Sequence, residues 1–137
     1  GQIELLTSEL TRPNGIALSP DEATLYVGDS KRWMAYDVQP DGSISNGRVF
    51  FDAGDIQGTG GADGMKVDSQ GNLYCTGPGG VLIFTPDGKH IGTIQPTEQP
   101  ANVAWGDADG KTLYMTARTG LYRIRLNIQG LLPAGTR

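Results

Sequence analysis

Apolar and polar residues alternate in short runs along almost the whole chain. Ile16 and Leu18 stand two apart, as do Leu25 and Val27, then Met34, Tyr36 and Val38, then Val49 and Phe51. That is the period of a strand with one buried face. It predicts strands near 15–19, 23–28, 32–38 and 47–52, after a short one over residues 2–6. The pattern recurs, predicting strands near 64–68, 72–76, 80–85 and 89–94, and then near 101–105, 111–117 and 120–126. Polar turns separate them, among them Ser19-Pro20-Asp21-Glu22, Pro40-Asp41-Gly42, Pro86-Asp87-Gly88 and Asp107-Ala108-Asp109-Gly110, all rich in residues that favour chain reversal. No segment longer than a turn or two carries apolar residues at helical spacing.

Three stretches share one layout: RPNGIALSPDEATLYVGD (12–29), GGADGMKVDSQGNLYCTG (60–77) and PANVAWGDADGKTLYMTA (100–117). Each carries Asn14, Asp63 or Asn102 at a strand entrance, then a turn, then a Leu-Tyr doublet (residues 25–26, 73–74 and 113–114). Repeats of about 40–50 residues with four short antiparallel strands each are the signature of propeller blades. The expected class is therefore all-β, a single partial β-propeller over 1–137 with repeats at 12–52, 61–95 and 100–130. Copy three lacks a convincing fourth strand, and residues 2–6 look like the outermost strand of a blade whose beginning lies elsewhere. Three blades do not close a ring, which needs about 4–8. The incomplete ring is expected to be completed by an N-terminal half of the same propeller or by a second copy of the chain.

Composition narrows the function only a little. The 137 residues are 37% hydrophobic and include 21 Gly and 8 Pro, which suits strands and tight turns. A net charge of −4 with scattered basic residues argues against nucleic acid or an anionic membrane as partner. No apolar run is long enough to span a bilayer. The expectation is a soluble protein, cytoplasmic or periplasmic. The start at Gly1, without an initiator methionine, suits a processed or truncated piece. Cys75 sits in a predicted strand as a small buried hydrophobe. His90, after the Asp87-Gly88 turn, reads as an exposed strand residue, and Trp33 and Trp105 as packing between blades. Gly58-Thr59-Gly60-Gly61 has no following lysine or helix and is not a phosphate loop. Arg12 and Arg118 are candidates for the mouth of the channel.

The residues Arg12-Pro13-Asn14-Gly15-Ile16-Ala17-Leu18-Ser19-Pro20-Asp21, with Leu25-Tyr26-Val27, resemble the middle of the gluconolactonase / regucalcin (senescence marker protein) / luciferin-regenerating enzyme family. Asp63-Gly64-Met65, Val67-Asp68 and Gly71-Asn72-Leu73-Tyr74 resemble its next blade, and Asn102-Val103-Ala104-Trp105-Gly106 its last full repeat. Ala62 and Trp105-Gly106-Asp107 depart from the family's commoner Pro and Phe-Gly-Gly. The resemblance implies a six-bladed propeller whose enzyme members hydrolyse sugar lactones at one divalent cation. It assigns Asn14 and Asp63 as two of four metal ligands, with Asp63 also a catalytic candidate that receives a proton from water. The remaining Glu and Asn ligands belong to the N-terminal half, and neither Glu4 nor Glu9 stands in the family's glutamate motif. Asn102 is not a ligand in the family. Oxygen donors suit Ca²⁺ first, with Zn²⁺, Mg²⁺ or Mn²⁺ as alternatives. The expected function is thus the C-terminal portion of a metal-dependent sugar-lactone hydrolase. The alternative is a propeller binding or scaffold module without turnover. From local sequence alone, Asn-Gly and Asp-Gly also read as hairpin turns.

Overall fold

The computed structural model describes residues 1–132. Among these there are eleven strands and no helix: β1 (Pro13–Leu18), β2 (Thr24–Asp29), β3 (Arg32–Val38), β4 (Ile44–Asp52), β5 (Met65–Val67), β6 (Leu73–Gly77), β7 (Gly80–Phe84), β8 (His90–Ile94), β9 (Pro100–Gly106), β10 (Thr112–Ala117) and β11 (Gly120–Arg125). They form three antiparallel sheets, β1-β2-β3-β4, β5-β6-β7-β8 and β9-β10-β11, each a meander of sequential neighbours. The third has three strands, as its sequence leads one to expect. No described helix is long and apolar enough to cross a membrane. The polar end from Pro133 onward lies outside the described residues.

The turns are built as their residues dictate. Gly42 and Gly88 take φ of +85°, and Gly110 takes +66°, a region open to glycine at little cost. Beside them, Asp41 accepts from the Ser43 N–H (2.9 Å) and Asp109 from the Lys111 N–H (3.2 Å). Asp68, fully buried, closes the β5–β6 turn by accepting from the main-chain N–H of Gln70 and of Asn72 (both 2.9 Å).

The second sheet presents one face to the first sheet and the other to the third. Tyr26, Trp33 and Ala35 of the first sheet cluster with Met65, Val67, Leu73, Cys75, Leu82 and Phe84 of the second. Tyr74 and Val81 of the second cluster with Val103, Leu113 and Met115 of the third. Trp33, fully buried, lies 5.2 Å from Phe84 ring to ring, and Tyr74 meets Trp105 edge-on at 4.9 Å, geometries favoured for aromatic pairs. The expectation that both tryptophans pack between blades holds, and Cys75 is buried as read.

The last described residues are stitched back under the structure. Gly130 bridges Asp68, and the Leu131 N–H donates to the Val67 carbonyl (2.9 Å). A side-chain carbon on Gly130 would collide with the Trp105 ring.

Residues 2–6 form no strand, contrary to the sequence pattern; Ile3 is 99% exposed and Leu5 83%. Alternation supplies a sidedness but no hydrogen-bonding partner, and among the described residues no sheet edge lies alongside.

Candidate functional site

The entrances to β1 and β5 come together because glycines let the backbones touch. Asn14-Gly15 is not a hairpin turn; both residues lie within β1. A Cβ at Gly15 would collide with the Asp63 carbonyl, and one at Gly64 with the Asn102 side chain. The glycine after each Asn14 or Asp63 is thus required by the close approach of the following blade. The hairpin reading of these two dipeptides fails for that reason.

Main-chain hydrogen bonds then fix the β5 entrance. The Ala62 N–H donates to the Ser30 carbonyl (2.6 Å), and the Asp63 N–H to the Thr76 carbonyl (3.0 Å). Gly64 donates to the Ala101 carbonyl (2.9 Å). Thr76, fully buried, aims its hydroxyl at the carbonyls of both Gly64 (2.9 Å) and Ala101 (3.0 Å). One side chain therefore ties the second blade to the third directly behind Asp63.

The β1 entrance is held by Asp29, a residue that sequence reading passes over. Its fully buried carboxylate accepts from the N–H of Thr11 (3.0 Å) and of Arg12 (2.6 Å), and pairs with the Arg32 guanidinium at 3.0 Å. Burial pushes its carboxyl pKa up. The Arg12 N–H, the Arg32 guanidinium and the Thr11 N–H outweigh that and leave it below the ordinary carboxylate range. A depressed folded value means the stabilisation is complete above the unfolded carboxylate pKa of about 3.9 and is lost as pH falls through the lower folded value. Asp29→Asn is expected to cost about 1.5–3 kcal/mol at neutral pH, the range for hydrogen bonds to a charged group. Thermal melts of this variant should lose less stability below about pH 4 than those of the parent.

These anchors leave a cleft of about 370 Å³ lined by Arg12, Asn14, Ser30, Lys31, Gly60, Gly61, Ala62 and Asp63. Asn14, 49 positions before Asp63 in the chain, shares the cleft with it, as do the cations of Arg12 and Lys31. Arg118 lies apart, in a neighbouring cleft with Thr59, Glu98 and Gln99. His90 is exposed at the start of β8, away from both.

Asn102 departs from its expected repeat position. The doublets align Val27, Cys75 and Met115, whose partners across the strand pair are Ile16, Met65 and Val103. Counting back two residues gives Asn14, Asp63 and Ala101, so Asn102 is one residue out of step. Asn102 therefore stands where Gly15 and Gly64 do, and β1 carries the same irregularity, between Pro13 and Ile16, as β9 does. The Asn102 side-chain oxygen accepts from the Val103 N–H (2.9 Å).

The chemistry on offer is two oxygen donors, Asn14 and Asp63, facing one cleft. No group of three or more His, Cys, Asp or Glu poised for a metal exists among the described residues. The pair fits part of the shell of a hard cation, which takes about 6–8 oxygens when it is Ca²⁺; the other donors must come from outside these residues.

Three antiparallel sheets packed face to face, with the entrances of β1 and β5 meeting at one cleft, define part of a β-propeller. The model of the SMP-30/gluconolactonase/LRE-like region matches residues 1–119, and the chain belongs to that family. It is 37% identical to a gluconolactonase of Zymomonas mobilis, over 95% of this chain and 39% of that protein. It is 29% identical to regucalcin of Xenopus laevis, over 88% of this chain and 47% of that one. Among solved structures, a putative gluconolactonase superposes with a TM-score of 0.83 at 29% identity, covering 93% of this chain and 43% of the other. Luciferin-regenerating enzyme shares the fold at a TM-score of 0.85, with 95% of this chain laid over 50% of that chain. The chain thus spans a third to a half of the relatives it matches, and its three sheets correspond to about half of a six-bladed propeller.

Proposed function

We propose that this chain is the C-terminal portion of a sugar-lactone hydrolase and supplies Asn14 and Asp63 to a divalent cation at the mouth of the ring. The observation that carries the proposal is the shared cleft: residues from two blades, each set by a glycine-permitted close approach, offer a carboxamide and a carboxylate to one space. Family membership supplies the reaction class, since relatives include a gluconolactonase and a pentonolactonase. When bound, the cation supplies Lewis-acid polarisation of the lactone carbonyl and activation of water.

The chain's own residues do the rest. Asn14 contributes a neutral oxygen that orients without altering the charge of the site. Asp63 contributes charge and, on the open side of the cleft, a base for the proton of the attacking water. Ring opening returns that proton to the leaving alkoxide, giving the hydroxy acid. Ca²⁺ is the favoured ion on donor type; a solved relative is described as a calcium-binding regucalcin. The small sugar lactone is the partner of the site, and the remainder of the ring completes its ligand set.

The test is proton release from glucono-δ-lactone by the chain, alone and mixed with an N-terminal propeller half, with and without chelator. Turnover that requires a complete ring and is abolished by chelation is expected. A ring that closes but hydrolyses no lactone, with its melt unchanged by chelator, would instead make the chain part of a binding module.

A further inference from the structure

Three polar side chains among the described residues are buried completely: Asp29, Asp68 and Thr76. Asp68 closes a turn and Asp29 holds the β1 entrance. Thr76, near the end of β6, is the third. A hydroxyl at that depth needs an acceptor, and both of its acceptors belong to strand entrances. It lies 2.9 Å from the Gly64 carbonyl and 3.0 Å from the Ala101 carbonyl, with one proton to share between them.

The main chain of Thr76 grips the same stretch. Its carbonyl accepts from the Asp63 N–H (3.0 Å), and its N–H donates to the Gly64 carbonyl (3.0 Å). The Ala101 carbonyl accepts from the Gly64 N–H (2.9 Å). The residue after Asp63 is therefore held at both its N–H and its carbonyl, with the Thr76 hydroxyl wedged between the two anchors. All of these groups sit at the seam where the second sheet meets the third.

The first sheet shows that the fold does not demand a hydroxyl here. Gly28 is level with Thr76, one past Val27 as Thr76 is one past Cys75. At Gly28 a Cβ would meet the Ala62 Cβ at 2.8 Å, and Asp29 holds the entrance instead. The buried hydroxyl thus stands behind the carboxylate of the cleft and not behind its carboxamide.

We propose that Thr76 is the positioning residue of the site, its hydroxyl setting the direction in which Asp63 presents its carboxylate to the cation. Cation affinity then depends on a side chain that touches neither ion nor lactone. The assignment rests on Asp63 being a cation ligand, as proposed above. Valine has the same shape, but its methyl group cannot stand where the hydroxyl does. Carbon–oxygen contacts open to about 3.3–3.6 Å, so both carbonyls must back away, and Gly64 takes Asp63 with it. Groups that orient a metal ligand from behind typically contribute about 10–100-fold in affinity.

Calorimetric titration of Ca²⁺ into the complete ring, this chain with the N-terminal half, tests the assignment. Thr76→Val should weaken Ca²⁺ binding by about 10–100-fold. Thr76→Ala loses the hydroxyl without pressing a methyl on the carbonyls, and should weaken it by about tenfold. Thr76→Ser keeps the hydroxyl and should regain most of that loss. Thr112→Val is the control for a merely structural role. It removes a hydroxyl of a 3% exposed residue, bonded to Asp107 at 2.5 Å in the third sheet. That variant should melt at a lower temperature with its Ca²⁺ affinity unchanged. Parent-like affinity in folded Thr76→Val or Thr76→Ala would overturn the proposal, and so would a loss in Thr76→Ser as large as in Thr76→Val. A ring that binds Ca²⁺ equally well with Asp63→Asn would instead overturn the ligand role of Asp63, and this assignment with it.

Discussion

Asp63→Asn should lower lactone turnover by about 10²–10⁴-fold, the usual contribution of a positioned acid–base group, while leaving the fold intact. The substitution keeps size and one oxygen but removes the charge and the base. The entrance itself is held by main-chain bonds from Ala62, Asp63 and Gly64, none of which needs the carboxylate. Melting of the variant is therefore expected to stay within about 0.5 kcal/mol of the parent, as for other substitutions away from the core. Cation affinity, read by calorimetry on the closed ring, should fall along with turnover. Undiminished hydrolysis in the variant would remove Asp63 from the chemistry, whatever it does for the ion.

Trp33→Ala should be the most damaging single change to stability, costing about 3–5 kcal/mol in denaturant titration. The ring is completely buried, stacked at an angle against Phe84, and its far edge lies against the space at Gly77. It thus plugs the seam between the first two sheets, and its removal leaves a cavity that sheet backbones are too stiff to fill. Against a total of about 5–15 kcal/mol for a typical domain, that loss is close to unfolding. Trp33→Phe provides the control. The indole N–H has no hydrogen-bond partner among the described residues, so the smaller ring removes an unsatisfied donor as well as volume. It should cost distinctly less than the alanine change.

The strands were legible because two-residue alternation and turn chemistry act locally. Observed bounds differ from the expected ones by a residue or two, except that β4 begins at Ile44, three residues early. The three-blade count followed from the Leu-Tyr doublets, which the register confirms as equivalent positions. What failed was whatever depended on a partner. Residues 2–6 have the pattern of a strand without an edge to join. Asn102 carried the right letter next to the right motif, but strand pairing sets equivalence and puts it level with Gly15, one residue past Asn14. Asp29 gave no signal, since an aspartate before Ser30-Lys31 reads as an ordinary exposed turn residue. Only the fold shows it buried beneath the Arg12 backbone. The meeting of Asn14 with Asp63 was expected from the resemblance and from the convergence of strand entrances on the hub. The shared cleft agrees with that expectation, while the ligand roles themselves rest on the titration and turnover described above.

Cys75, the chain's single thiol, lies in the seam between the first two sheets, with its pKa pushed well up by burial. Only the thiolate reacts readily with oxidants and alkylating reagents, so both kinds of damage are shut out while the sheets stay together. Thiol chemistry in this protein is thereby tied to the opening of its core: Cys75 reacts only to the extent that the first two blades part.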